Sequence, residues 1–238
     1  MYGSRGLKIL IMGLMPTVSF AQTECNYFTN VHESGLTTGT PAANGFDSAK
    51  LALVDKQINQ DIQNGFPGAG LLIIKDGKVV KQTVYGYSLK FDPQSLQPLA
   101  KPRLLSCSSL FDLASNTKMY ATNFAIMQLV SEGKLNLDKP IHVYIPEYTG
   151  CDLNDQCRET RTVRDLLTHS AGYMPDPQFF KPSSVAHYGA GLYSQNRNMT
   201  ESILYTKLPF ADVRGGKPNY SDVDFMLLGL IVEKISGL

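Results

Sequence analysis

The sequence predicts a mixed α/β (α+β) protein, and three observations carry that prediction. Leu51, Val54, Ile58 and Ile62 recur at helical spacing. Next comes a hairpin signal, in which Leu71 to Ile74 and Val79 to Tyr85 flank Asp76-Gly77, a dipeptide that readily takes the positive φ angles of a tight turn. The second half then carries helical patterns at Met119 to Val130, around Leu166 and at Val223 to Ile235. With 238 residues, 43% of them hydrophobic, and no low-complexity tract, the chain can bury one sizeable core or two small ones.

In chain order, residues 1–21 combine Arg5 and Lys8 with an apolar run from Ile9 to Val18 and the small-x-small pattern Ser19-Phe20-Ala21. This is the pattern of a cleaved secretory signal, placing the protein in the periplasm or outside the cell. The alternative is an uncleaved segment that holds it at the inner membrane. Residues 22–44, rich in Thr, Gly and Asn, read as a loosely held mature N-terminus, and the organised domain spans 45–238. Asp47 or Ser48 caps the first helix, which ends near Asn64-Gly65. Four consecutive apolar residues, 71–74, suggest a strand covered on both faces. Residues 88–109, with three prolines and many serines, read as a long connection.

Phe111-Asp-Leu-Ala-Ser-Asn-Thr-Lys118 reads as a short strand end feeding the amphipathic helix 119–130. Segments 135–140 and 144–148 read as irregular and extended. Thr162 caps a short helix through Val163, Leu166 and Leu167, with Gly172 suited to its left-handed C′ position. His169, in the last turn, complements the helix dipole and reads as structural rather than catalytic. Residues 173–200 are loop-like. Gly215 to Asp222 forms a turn before a nearly all-apolar helix, too short to span a bilayer, with Asp222 a candidate cap.

The chemistry centres on Ser115. At the junction into a helix, unpaired N–H groups and the positive end of the macrodipole stabilise developing negative charge. Lys118 lies three residues on and shares the helix face, so its amine approaches the hydroxyl, as an activated nucleophile requires. A second Ser-x-x-Lys, Ser131 to Lys134, lies where Gly133 ends the helix and is discounted. No basic footprint for nucleic acid survives once Arg5 and Lys8 are removed, leaving 20 basic against 21 acidic residues. Neither Cys-x-x-Cys nor His-Glu-x-x-His is present, so no metal or cofactor is expected. Four cysteines allow three pairings; Cys151 and Cys157 bracket a polar loop and would leave Cys25 with Cys107, against the alternative of four free thiols.

Ser115-x-x-Lys118, Leu166-Leu-Thr-His-Ser-Ala-Gly172 and Tyr220-Ser-Asp222 occur in the order and approximate spacing of the serine β-lactamase and penicillin-binding-protein superfamily. Over residues 45–238 the chain resembles its class C-like branch, and especially its D-alanyl-D-alanine carboxypeptidases. The resemblance implies a β-lactamase/DD-peptidase-like fold, an antiparallel sheet flanked by helices plus a helical subdomain. It implies a hydrolase of small peptide or β-lactam-like amides, with Ser115 as nucleophile, Lys118 as the neutral base, Tyr220 as proton relay and Asp222 in substrate binding. Carboxypeptidase, β-lactamase and esterase share these motifs. Relatives continue into strands bearing a Lys-Thr-Gly-like or His-x-Gly triad, which implies that this chain is a C-terminally truncated fragment and makes an inert or binding protein the rival expectation.

Overall fold

The computed structural model describes residues 22–25, 35–182 and 193–237, so the stretch 1–21 read as an export signal lies outside the described residues. The chain forms two compact units, the first running to Phe111 and the second starting at Asp112.

The first unit is built on one long strand. Helix α1, Ser48–Gln63, starts where Asp47 Oδ1 accepts the N–H groups of Ala49 and Lys50 at 2.9 and 3.2 Å, as its sequence predicts. Its apolar stripe is less covered than the spacing implies, for Ile62 is buried but Val54 is 39% exposed. The more covered face instead runs through Leu51, Asp55, Ile58, Asn59 and Ile62. Asp55 accepts the Tyr85 hydroxyl and pairs with Lys81 at 3.1 Å, so part of the helix–sheet contact is polar.

Strands β3 (Gly68–Lys75) and β4 (Lys78–Phe91) form the expected hairpin, with Asp76 at φ 51° and Gly77 at φ 72°. β3 is not covered on both faces, since Leu72 and Ile74 remain 46% and 45% exposed. Among the described residues it pairs with β4 alone. Two short strands from the stretch read as loose also join β4: β1 (Gln22–Glu24) antiparallel and β2 (Thr37–Thr38) parallel. The stretch read as a long connection contains β5, Pro98–Leu104, antiparallel to the end of β4. Its prolines mislead because Pro98 opens the strand, where no ladder N–H is needed. Cys25 and Cys107 are joined by a disulfide.

Phe111, which ends the first unit, and Asp112 and Leu113, which open the second, form no strand, because Asp112 Oδ1 accepts the Ala114 N–H at 2.8 Å and closes a local turn instead. A π-helical stretch, Lys118–Asn123, then continues into α2, Phe124–Ser131, which Gly133 ends at φ 69°. Helix α3, Val163–Leu167, has a complete capping box between Thr162 and Asp165. Later come α4, Arg197–Ser202, and α5, Asp222–Ser236. The apolar faces of α2, α3 and α5 meet in one core, in which Ile141, Ile145, Val163, Leu166, Leu227, Leu228 and Ile231 are wholly buried. Cys151 and Cys157 form the second disulfide. Among the described residues no helix is long and apolar enough to cross a membrane.

Two local expectations change. His169, not Gly172, takes the left-handed position after α3, at φ 54°. Gly172 is required for a different reason: a Cβ there would lie 2.3 Å from the Asp212 carbonyl oxygen. And Ser221, not Asp222, caps α5. Its hydroxyl accepts the Val223 N–H at 3.2 Å and donates to the Met174 carbonyl at 2.6 Å, fully buried. Ser221→Ala should therefore cost about 1–3 kcal/mol through the lost cap and the orphaned carbonyl. A lowered urea midpoint would show this, and an unchanged midpoint would contradict the assignment of the cap.

Candidate active site

Ser115 stands at the start of a helical run, and the residue before it is strained. Ala114 has φ 44°, a left-handed conformation that side chains bearing a Cβ rarely adopt. Such strain persists only where surrounding contacts hold it, here the Asp112 side chain before it and the hydrogen bonds from Asn116 to Leu113 and from Thr117 to Ala114 after it. Among the described residues the Ser115 N–H has no acceptor. It is thus available to a developing oxyanion. The wide π-helical turn that follows is a departure from α geometry often found at functional sites.

Lys118 joins the parts. Its Nζ lies 3.2 Å from Ser115 Oγ and 2.6 Å from Asp222 Oδ1, and 5.0 Å from the centre of the Tyr220 ring. The surroundings of Lys118 run against the expected neutral amine. Burial does push its pKa down, but the hydrogen bonds to Asp222 and Tyr220 and their charges outweigh burial and hold it above its ordinary value. It is an ammonium. Tyr220 moves the other way, because hydrogen bonds to Lys118 first and to Ser115 second hold its phenol below the usual value. The group fitted to take a proton from Ser115 is therefore the phenol oxygen, with Lys118 stabilising its anion.

The structure thus brings Ser115, Lys118, Tyr220 and Asp222 together. One Asp222 carboxylate oxygen is engaged by Lys118. Sequence reasoning missed Asp224, Phe225 and the place of His169. The His169 ring packs on Tyr220 with 4.7 Å between centroids, and its Nδ1 lies 2.9 Å from Asp224 Oδ2. The signals were present in the two later motifs, but nothing in spacing indicated that His169 and Asp224 would meet across 55 residues.

Fold and site together define a protein of mixed α/β architecture that gathers a serine, a lysine and a tyrosine at the start of a helix, and comparison with known proteins narrows that class. The chain belongs to the Beta-lactamase family, whose profile matches residues 51–238. It is 40% identical over 224 residues to the Bacillus subtilis (strain 168) protein named N-acetylmuramyl-L-alanine amidase, covering 93% of this chain and 48% of that one. It is 42% identical over 205 residues to the "Putative D-alanyl-D-alanine carboxypeptidase" of Escherichia coli (strain K12), covering 85% and 45%. The chain therefore spans about half the length of the curated relatives it matches. Its fold is shared with a solved beta-lactamase/D-alanine carboxypeptidase of Pseudomonas syringae, at a TM-score of 0.57, 22% identity and coverage of 80% and 46%. A D-stereospecific amidohydrolase of a Streptomyces species shares it at 0.56, with 22% identity and coverage of 79% and 50%.

Asp222→Asn removes the carboxylate that holds Lys118 charged, so the Lys118 pKa should fall. Trinitrobenzenesulfonate labelling of Lys118, followed by peptide mass against pH, should then begin at lower pH in the variant. An unchanged profile would show that Asp222 does not set the charge of Lys118.

Proposed function

We propose that Ser115 is the nucleophile of an acyl-transfer reaction on peptide or β-lactam amides, of the D-alanyl-D-alanine carboxypeptidase type, carried out outside the cytoplasm. The observation that carries this reading is the contact of Ser115 Oγ with Lys118 Nζ at 3.2 Å, with the Tyr220 ring centre 5.0 Å from the same Nζ. The amide substrate is supported by the names of the two relatives at 40 and 42% identity. Export is supported by the two disulfides, which persist in oxidising compartments, and by the basic-apolar-small pattern of residues 1–21.

The steps follow from the charges. The Tyr220 phenolate, favoured by the Lys118 ammonium, accepts the Ser115 proton as Oγ bonds to the carbonyl carbon and the carbonyl π pair moves onto oxygen. The Ser115 N–H donates to that oxyanion, an interaction whose loss typically costs about 2.7–4 kcal/mol. As the tetrahedral species collapses, the C–N bond breaks and Tyr220 returns the proton to the leaving nitrogen. Water then gives a proton to the same phenolate and adds to the acyl carbon, and Ser115 leaves with the proton held by Tyr220.

Intact mass after exposure of the 238-residue chain to a β-lactam, and separately to a fluorophosphonate, tests the reading. One adduct should form on the parent and none on Ser115→Ala. Tyr220→Phe should slow its formation by on the order of a hundredfold or more. Equal labelling of Ser115→Ala would remove Ser115 as the nucleophile, and a folded parent that takes no adduct would favour the inert or binding protein over the hydrolase.

A further inference from the structure

We propose that His169 and Asp224 form a neutral imidazole and carboxylic acid pair that positions Tyr220 over Ser115 and Lys118. This rests on the acyl-transfer reading above and adds to it two residues that act through the tyrosine. His169 holds the chain on both sides of Tyr220. Its carbonyl accepts the Asn219 N–H at 2.9 Å, and its Nδ1 accepts the Ser221 N–H at 3.2 Å. Its ring packs against the Tyr220 ring on one hand and the Phe225 ring, 5.3 Å away, on the other. The left-handed backbone at His169 is what lets one residue offer its carbonyl and its ring to the same turn.

The protonation state follows from that geometry. A ring nitrogen that accepts an N–H carries no proton of its own and has a single in-plane lone pair. Asp224 Oδ2 lies 2.9 Å from this same nitrogen. Two acceptors do not attract one another, so the carboxyl must bring the proton, its O–H sharing the lone pair with the Ser221 N–H. The setting agrees. Asp224 is 1% exposed, pairs with no Lys or Arg among the described residues, and has no hydrogen-bond partner for Oδ1, all of which penalise a carboxylate.

The charges facing the pair point the same way. Burial, and then Asp165 on α3, raise Asp224 to about 8. Asp165 is itself paired with Arg214 at 2.6 Å. Burial and then the Lys118 ammonium hold His169 below its ordinary value, against the opposing effect of Asp222. Tyr173, buried and raised to about 12, remains a neutral phenol near Asp224.

The test is the rate at which the 238-residue chain is phosphonylated by the fluorophosphonate, with loss of fluoride, between pH 6 and 10, in the parent, Asp224→Asn, Asp224→Ala and His169→Ala. Near-UV circular dichroism identifies variants that fold. An asparagine can donate its amide N–H to His169 Nδ1 in place of the acid, so Asp224→Asn should keep the parent's rate at pH 7. The two alanine variants should lose on the order of a hundredfold, the scale of a small misplacement of a reacting group. Above about pH 8 the parent should slow relative to Asp224→Asn, as Asp224 ionises. A loss in folded Asp224→Asn equal to that in Asp224→Ala would mean a carboxylate is required and overturn the proposal, as would a folded alanine variant with the parent's rate. Imidazole 15N shifts of His169, assigned by their loss in His169→Ala, decide the pair without any reaction. A neutral ring protonated at Nε2 at pH 7 supports it, and a proton on Nδ1 overturns it. A parent that takes no adduct would defeat the acyl-transfer reading and the positioning role together, while the 15N shifts would still decide the protonation of the pair.

Discussion

The site depends on one ammonium group. Lys118 and Asp222 are 104 residues apart, and their contact at 2.6 Å joins the π-helical turn after Ser115 to the first turn of α5. Two effects compete at Lys118. Partial burial favours the neutral amine, whereas a carboxylate at hydrogen-bond distance favours the cation, and the carboxylate wins. The outcome fixes the charge pattern of the whole site, because an ammonium cannot take the serine proton and instead makes Tyr220 a better acceptor.

Tyr220 is half exposed and has little packing of its own to hold it. Its orientation comes from neighbours that are better anchored. Ser221 is buried and ties the turn to Met174. His169 holds the backbone on either side, and its own loop is tied down by Arg161, whose guanidinium donates to the Ala171 carbonyl at 3.2 Å and lies 3.7 Å from the centre of the Phe210 ring. Two non-glycine residues in left-handed conformations, Ala114 and His169, sit beside the groups that matter. Each is uphill locally and is held by hydrogen bonds, Ala114 by those of the turn around it and His169 by those from Asn219 and Ser221.

What could be read in advance was local. The Asp76-Gly77 hairpin, the Asp47 and Thr162 caps and the end of α2 at Gly133 each depend on a few adjacent residues, and each formed where its spacing placed it. Misreadings arose where a contact distant in sequence overrode a local preference. Asp55 turned α1 toward a polar contact with Tyr85 and Lys81. Pro98 and Pro102 marked a strand that β4 had already templated. Gly172 was needed for the close approach of Asp212 rather than for ending a helix.

By itself the sequence determined the family and the mixed α/β class and set Ser115, Lys118 and Tyr220 in ordered motifs, because motifs in order along a chain are a linear property. Only the tertiary structure decided how those groups are charged. A pKa depends on what lies within a few ångströms, and Asp222 beside Lys118, or Asp224 beside His169, become neighbours only when α5 packs against the turn after α3 and the helix after Ser115.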